Sequence, residues 1–328
     1  MMTQKQRIDF IDLAKGFCIL IIVLGHCNIN INIIGYNTLA MPAFYILSGM
    51  LFKENEDVRT FTIKKVNKLL IPFLFFYLTA YLLFYIIKFF APQFLITDAR
   101  GILDLFDNRQ FFNGPIWFLL SIFWCNIYFY IICRLILNNT ERIIVVFICG
   151  TAGWLIGHFG YFLPLFLDVA MTALPFFAFG YCLKNSNFLY PNKWDKYNLW
   201  FALVLWIISF VLEMLLFQRV SFHYNHISVN SVITSTISTL SFLYLCRYIK
   251  RLPYISYLGK YSIILLCVHH MIYRPVKVLL QTTGIEIINN EYSVAMVTLI
   301  LSTLCIPICI KYIPWFVAQK DLIRECKR

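Results

Sequence analysis

Long apolar runs separated by short polar segments recur along the whole chain. Each run approaches the length of about 20 residues that a helix needs to cross the hydrocarbon core of a bilayer. The runs cover residues 9–28, 38–53, 69–91, 115–137, 142–158, 162–183, 199–217, 228–247, 257–277 and 292–315. They are continuously apolar rather than alternating, which favours helices over the strands of a membrane barrel. The pattern predicts an all-α, polytopic integral membrane protein with about ten transmembrane helices.

Composition supports this class. The chain is 60% hydrophobic and only 13% charged, whereas soluble domains are about half apolar and a quarter charged. A soluble domain of 328 residues could not bury so much apolar surface. Because no linker or internal repeat divides the chain, we expect residues 1–328 to form one membrane domain without an appended soluble domain.

The distribution of basic residues predicts the orientation. If the N-terminus is inside, 21 of the 28 lysines and arginines fall in predicted cytoplasmic segments and 5 in outer segments. Such an excess is typical of cytoplasmic loops, so both termini are expected inside. The same asymmetry explains the net charge of +12. Nucleic acid is not an expected partner, since no basic cluster sits on a soluble module.

The first apolar run contains Asp12, Lys15 and His26. An ionisable side chain in hydrocarbon costs roughly 2.5–3.5 kcal/mol, so each one needs a reason. Eleven helical residues make about three turns, so Lys15 and His26 share a face at a separation of about 16 Å. Asp12 lies close enough along the helix to pair with Lys15. The run therefore predicts an inward polar stripe, although an ion pair that merely joins helices would also explain the two charges.

A second histidine belongs to the same prediction. His269 follows Ser262 by two helical turns and lies about as deep in the membrane as His26. We therefore expect the two imidazoles to share a polar cavity, with Asp168 as a weaker candidate for the same cavity. His270 is expected to point elsewhere.

Several short sequences, taken in order, resemble the acyltransferase-3 family of integral-membrane acyltransferases. Lys15, ten residues and His26 match its basic-x10-His pattern. Further elements that resemble the family are RIDFIDLAKG (7–16), MPAFYILSGMLF (41–52), KKVNKLLIP (64–72), GPIWFL (114–119), DVAMTALPFFAFGY (168–181) and LGKYSIILLCVHH (258–270). Within the family, the resemblance is strongest to the fucose 4-O-acetylase-like group of bacterial glycan O-acyltransferases.

The resemblance implies an acyl donor, usually acetyl-CoA, bound from the cytoplasmic side of a bacterial inner membrane. The acyl group passes to a hydroxyl of a sugar, surface polysaccharide or glycolipid precursor. His26 corresponds to the essential histidine, Lys15 to its basic partner, and Lys65 and Lys68 to a basic pair. Lysines replace arginines at these basic positions, and they hold phosphate as point charges rather than as bidentate forks.

The expected site has two parts. The chemistry is assigned to His26, with His269, Lys15 and Asp12 as its partners, and His26 acts either as a general base or as a covalent acyl carrier. The donor is assigned to a second set, in which the first four residues bind CoA phosphates: Arg7, Lys64, Lys65, Lys68, Ser48 and Trp117. No metal is expected. The alternative function is a transporter of an acylated sugar, but the chain lacks the paired broken segments typical of inverted repeats.

Overall fold

The computed structural model describes residues 8–29, 39–90, 106, 112–186, 188–216, 229–282 and 290–324. These residues are mostly helical, and no strand occurs among them. The helices are α1 (Asp9–His26), α2 (Ala40–Met50), α3 (Val58–Lys65), α4 (Ile71–Phe90), α5 (Trp117–Leu135), α6 (Asn139–His158), α7 (Leu167–Asn185), α8 (Asn198–Leu216), α9 (Val229–Ile249), α10 (Pro253–Lys260), α11 (Ser262–Thr282) and α12 (Glu291–Tyr312). The predicted all-α class is confirmed.

Among the described residues, eight helical segments are long and apolar enough to cross a membrane. They are the continuous α3–α4 segment, α5, α6, α7, α8, α9, α11 and α12. The first predicted run is α1, which carries Asp9, Asp12 and Lys15, and the second is α2, which has only 11 residues. The protein is therefore a polytopic membrane protein, while the count of ten spans and the orientation stay predictions.

Two helices differ in extent from the apolar runs predicted as membrane spans. The run at 69–91 belongs to a longer helical segment that begins at Val58, because the side chain of Asp57 caps it by accepting a hydrogen bond from the backbone N–H of Thr60 at 2.9 Å. The helix predicted at 257–277 is broken at Tyr261, where α10 ends and α11 begins. The apolar pattern runs through this break, so hydropathy alone does not reveal it.

Helix α1 lies at the centre of the bundle and contacts α2, α9, α10, α11 and α12. Its approach to α10 depends on two glycines. A Cβ atom on Gly16 would lie 2.0 Å from the carbonyl oxygen of Ile255, and one on Gly259 would lie 1.8 Å from that of Asp12. Small residues of this kind let membrane helices pack backbone against backbone.

Helices α2 and α7 meet in the same way. A Cβ atom on Gly49 would lie 1.9 Å from the carbonyl oxygen of Phe177, and one on Gly180 would lie 1.9 Å from that of Ile46. This crossing fixes α2, the short helix that also contacts α1.

Polar contacts join several chain segments at one end of the bundle, which we call the basic end. Arg142, at the start of α6, bonds to Glu54 in the loop after α2 at 2.8 Å. Lys184 at the end of α7 donates to the carbonyl oxygen of Phe52 in the same loop. Arg247 of α9 pairs with Asp195, which precedes α8. These contacts place at one end of the bundle segments that were all predicted to be cytoplasmic.

The C-terminal segment reaches the same end. Asn67 lies in a π-helical turn, Val66–Leu70, between α3 and α4, and its side chain is 1% exposed. The amide nitrogen of Asn67 donates to the carbonyl oxygen of Ile323, and its oxygen accepts from the backbone N–H groups of Leu322 and Ile323, each at 2.9 Å. The start of α4 is thus fastened to a segment 256 residues further along the chain.

Candidate active site

Two histidines meet at the end of α1 opposite the basic end. The Nδ1 atom of His26 lies 3.3 Å from the Nε2 atom of His269 on α11, and their ring centroids are 5.1 Å apart. His269 is completely buried, whereas His26, the last residue of α1, is exposed. The structure therefore brings the two imidazoles together, while the shared polar cavity and the catalytic roles stay predictions.

Backbone carbonyls determine which nitrogen of each ring carries the proton. His26 Nδ1 lies 2.9 Å from the carbonyl oxygen of Ile22, and His269 Nδ1 lies 2.7 Å from that of Leu265. A carbonyl oxygen only accepts, so both Nδ1 atoms are protonated. His269 then offers an unprotonated Nε2 to the Nδ1–H group of His26, which is shared between this nitrogen and the Ile22 carbonyl. In a neutral His26, the unprotonated atom is Nε2.

His270 belongs to the same cluster. Its ring centroid lies 5.9 Å from that of His26 and 6.3 Å from that of His269. The expectation that His270 points elsewhere is therefore wrong. His269 and His270 differ by about 100° around α11, but the ring of His26 at the tip of α1 is near enough to contact both. The described residues contain no group of three or more side chains arranged to hold one metal ion.

The GPIWFL sequence lies beside this cluster. Residues Gly114–Ile116 form a single 3-10 turn before α5, and a Cβ atom built on Gly114 would lie 4.0 Å from the Cε1 atom of His270. Asn113, just before the turn, is 1% exposed and donates to the carbonyl oxygen of Cys267 on α11 at 2.8 Å. Sequence reasoning missed Asn113 and His270, although both adjoin residues that it had selected.

Trp117 opens α5 and stacks on Phe166, with ring centroids 5.4 Å apart. Phe166 and its neighbour Leu165 both have left-handed backbone angles, with φ values of 61° and 56°. Such angles are strained for residues other than glycine and persist only where the surroundings hold them. Asp168, at the start of α7, is fully buried two residues later. The structure thus places Trp117 against Phe166, with Asp168 buried in the next turn of chain, while the functional roles of Trp117 and Asp168 stay predictions.

Ser48 lies in a different polar contact, between α2 and α5. Its hydroxyl accepts a hydrogen bond from the side-chain amide of Asn126 at 3.4 Å. Nearby in sequence, Tyr45 and Ser121 share a buried hydrogen bond of 2.7 Å. Ser48 is therefore engaged with α5, and its predicted contact with the acyl donor stays a prediction.

Asp12 and Lys15 lie toward the other end of α1. Both are half-buried, and each takes part in polar interactions. Because α1 is one unbroken helix from Asp9 to His26, the shared face of Lys15 and His26 and their separation of about 16 Å follow from helical geometry. The Asp12–Lys15 ion pair stays a prediction, and Arg7 lies outside the described residues.

The three predicted CoA-binding lysines lie along α3 and the π-helical turn. Lys64 donates to the carboxylate of Glu56 at 2.9 Å, Lys65 lies over the ring of Phe61 at 5.4 Å, and Lys68 is exposed. The sequence did not predict that Lys64 pairs with Glu56. A phosphate at this lysine would have to share its charge with Glu56.

Nearby positive charge lowers the pKa of Glu54 and Glu56, which lie in the loop between α2 and α3. Partial burial raises the pKa of the Glu56 carboxyl, but Lys64 and Lys53 together bring that pKa below its ordinary value. Burial likewise raises the pKa of Glu54, and it is outweighed by hydrogen bonds from Tyr181 and Arg142 and by the arginine charge, so this pKa is also lowered. Both carboxylates remain ionised near neutral pH.

The fold and the histidine cluster describe a multi-pass helical membrane protein with a candidate catalytic base. A family model described as an acyltransferase domain, that of the acyltransferase-3 family, matches residues 8–312. The chain belongs to this family, and the protein is a membrane acyltransferase. Searches among curated proteins and among solved structures found no significant match.

Proposed function

We propose that the protein moves an acetyl group from cytoplasmic acetyl-CoA to a hydroxyl of a sugar, surface polysaccharide or glycolipid precursor. The observation that carries this proposal is the state of His26, whose Nδ1–H group is engaged by the Ile22 carbonyl and by His269. These contacts leave Nε2 as an unprotonated nitrogen on an exposed residue. Such a nitrogen is suited to take the proton of an attacking hydroxyl.

The proposed reaction is a single acyl transfer. The acceptor oxygen bonds to the carbonyl carbon of the thioester while its proton passes to Nε2 of His26. The carbon–sulfur bond then breaks, and Nε2 returns the proton to the sulfur of CoA. If the same Nε2 first took the acetyl group itself, labelled acetyl-CoA without acceptor would leave labelled protein.

The donor is proposed to lie along α1. Lys15 marks the end of the helix near the basic end, and His26 marks the other, about 16 Å away. CoA phosphates would interact with Lys65, Lys68 and Arg7, while the thioester reaches His26. The lysine and arginine distribution supports a basic end that faces the cytoplasm of a bacterial inner membrane.

Substitution of His26 tests the proposed function. The His26→Ala variant should lose acetyl transfer by about 10²–10⁴-fold, the usual contribution of a general base. The assay measures labelled acetyl transfer from acetyl-CoA to glycans in membranes that contain the protein. The matched control is His158→Ala, since His158 stacks on Trp154 at the exposed end of α6 and should leave the rate unchanged. Transfer at the wild-type rate by a folded His26→Ala variant would contradict the proposal.

A further inference from the structure

Two buried hydrogen-bond acceptors beside His26 have no partner. Within the described part of the chain, the side-chain oxygen of Asn113 and the Nδ1 atom of His270 are buried and make no hydrogen bond. Buried polar atoms in folded proteins are nearly always paired, so each exception calls for an explanation. One such explanation is a ligand that supplies the missing donors.

Both atoms are acceptors because of the bonds that their side chains already make. The amide nitrogen of Asn113 donates to the Cys267 carbonyl at 2.8 Å, which directs the oxygen elsewhere. The His270 ring hydrogen-bonds to the backbone of Phe112. A ring N–H that donates to that carbonyl is Nε2–H, which leaves Nδ1 without a proton.

The two acceptors lie on chain segments that meet next to the proposed base. Asn113 is bonded to Cys267, one helical turn before His270 on α11, and Gly114 adjoins the His270 ring. The ring centroids of His270 and His26 are 5.9 Å apart. Together with Nε2 of His26, three hydrogen-bond acceptors thus belong to segments that meet at the end of α1.

A cluster of acceptors selects ligands that carry several donors. The reacting end of an acyl thioester has a carbonyl and a sulfur but no O–H group, so it does not satisfy these atoms. A polyol does, because one hydroxyl can approach His26 while neighbouring hydroxyls donate to Asn113 and His270. We infer that Asn113 and His270 bind hydroxyl groups of a polyhydroxylated acceptor next to the hydroxyl that is acylated. This inference rests on the proposed acyl transfer at His26.

Three variants of His270 distinguish a side chain that hydrogen-bonds to hydroxyl groups from one that only fills space. In His270→Asn, the side-chain amide keeps a polar atom near the position of Nδ1. In His270→Gln, the amide keeps one near Nε2 and none at Nδ1, and in His270→Phe both are lost while the ring remains. The full-length protein in lipid nanodiscs would be assayed with labelled acetyl-CoA and two acceptors. Methyl glucoside carries several hydroxyl groups, whereas cyclohexanol carries a single one.

The expected result is a change in KM for one acceptor alone. His270→Gln and His270→Phe should raise the KM for methyl glucoside about tenfold, the loss of about 1.4 kcal/mol. His270→Asn should stay close to wild type, and the KM values for cyclohexanol and acetyl-CoA should not change. Asn113→Leu should act in the same direction as His270→Gln. Thermal unfolding of each variant identifies any that fail to fold.

The outcomes separate the inference from the proposed function. Equal methyl glucoside KM values in folded Asn and Gln variants would overturn the inference and assign both atoms to ordered water. Failure of the wild-type protein to acetylate methyl glucoside while it still binds acetyl-CoA would overturn it as well. A wild-type protein that neither binds nor consumes acetyl-CoA would overturn the proposed function itself.

Discussion

The protonation of His26 depends on atoms of other residues. The Ile22 carbonyl lies one turn back on α1, and the Leu265 carbonyl holds His269 in the same way on α11. Each ring is thus oriented by its own helix, and the two helices bring the rings into contact. His269 is buried and touches His26 at 3.3 Å, and we propose that it positions the His26 ring.

Substitution of His269 should therefore lower the rate without weakening substrate binding. His269→Leu removes the acceptor for the Nδ1–H group of His26, and a lost hydrogen bond of about 1–1.5 kcal/mol corresponds to roughly a tenfold lower kcat. His269→Gln can place an amide oxygen near the former Nε2 and should restore part of the rate. Steady-state kinetics would show this as a kcat effect with unchanged KM for acetyl-CoA. Equal rates in the Leu and Gln variants would argue that His269 only fills space.

For individual residues, the sequence predicted those positions that depend on the geometry of a single helix. The spacing of Lys15 and His26 on α1 and the depth of His269 were predictable from helical geometry. The inclusion of His270 was not, because it depends on where the tip of α1 meets α11. Similarly, the pairing of Lys64 with Glu56 depends on how a loop folds back, which apolar periodicity does not encode.

Among the helices, α1 and α10 depend on close backbone contact. Gly16 and Gly259 occupy the crossing, and Gly25 near the end of α1 provides a natural comparison. A Cβ atom on Gly16 would meet the Ile255 carbonyl at 2.0 Å, whereas one on Gly25 would meet nothing within 4 Å. Two glycines on the same helix therefore have opposite tolerance for a methyl group.

Gly16→Ala should destabilise the protein, whereas Gly25→Ala should not. Forcing a methyl group into a tight crossing usually costs about 1–3 kcal/mol, so the thermal unfolding midpoint of Gly16→Ala in detergent should fall. Alanine favours a helix over glycine by up to about 1 kcal/mol, so Gly25→Ala should match or slightly exceed wild type. Similar losses in both variants would contradict the α1–α10 packing.

The loop after α2 links α6 and α7 through Glu54, and this link should depend on pH. Because the folded-state pKa of Glu54 is lowered, its contribution is fully present above the ordinary glutamate pKa of about 4.3. That contribution is lost as the pH falls through the lower folded-state value. Thermal unfolding of wild type and Glu54→Gln as a function of pH should therefore differ most near neutrality and converge in acid. A constant difference down to pH 3 would contradict this role.

Considered whole, the molecule has two chemically different ends. Arg142, Lys184 and Arg247 each bond to a neighbouring loop and so collect the basic loops at one end, while the histidine cluster lies at the other. Sequence predicted the helices and the grouping of loops, because apolar length and charge are local properties. The break at Tyr261 and the early start at Val58 were missed, since packing and capping decide them.

Labelling of introduced cysteines would determine which end faces the cytoplasm. In a variant without native cysteines, Asn55→Cys marks the basic end, and Tyr161→Cys, just after α6, marks the other; both positions are exposed. A membrane-impermeant maleimide should label the Tyr161→Cys variant in intact cells and the Asn55→Cys variant only in inverted vesicles. The opposite pattern would reverse the predicted orientation.

The bond between Asn67 and the segment at Leu322 and Ile323 also limits the order of biogenesis. Helices of a membrane protein enter the bilayer as they are synthesised, but this contact joins residues 256 positions apart. The buried amide of Asn67 therefore lacks its partners until the chain is made through residue 323, and the turn that carries Lys68 lacks this contact until then. A ribosome-bound chain that already holds His26 and His269 would still lack this contact at the proposed donor-binding end.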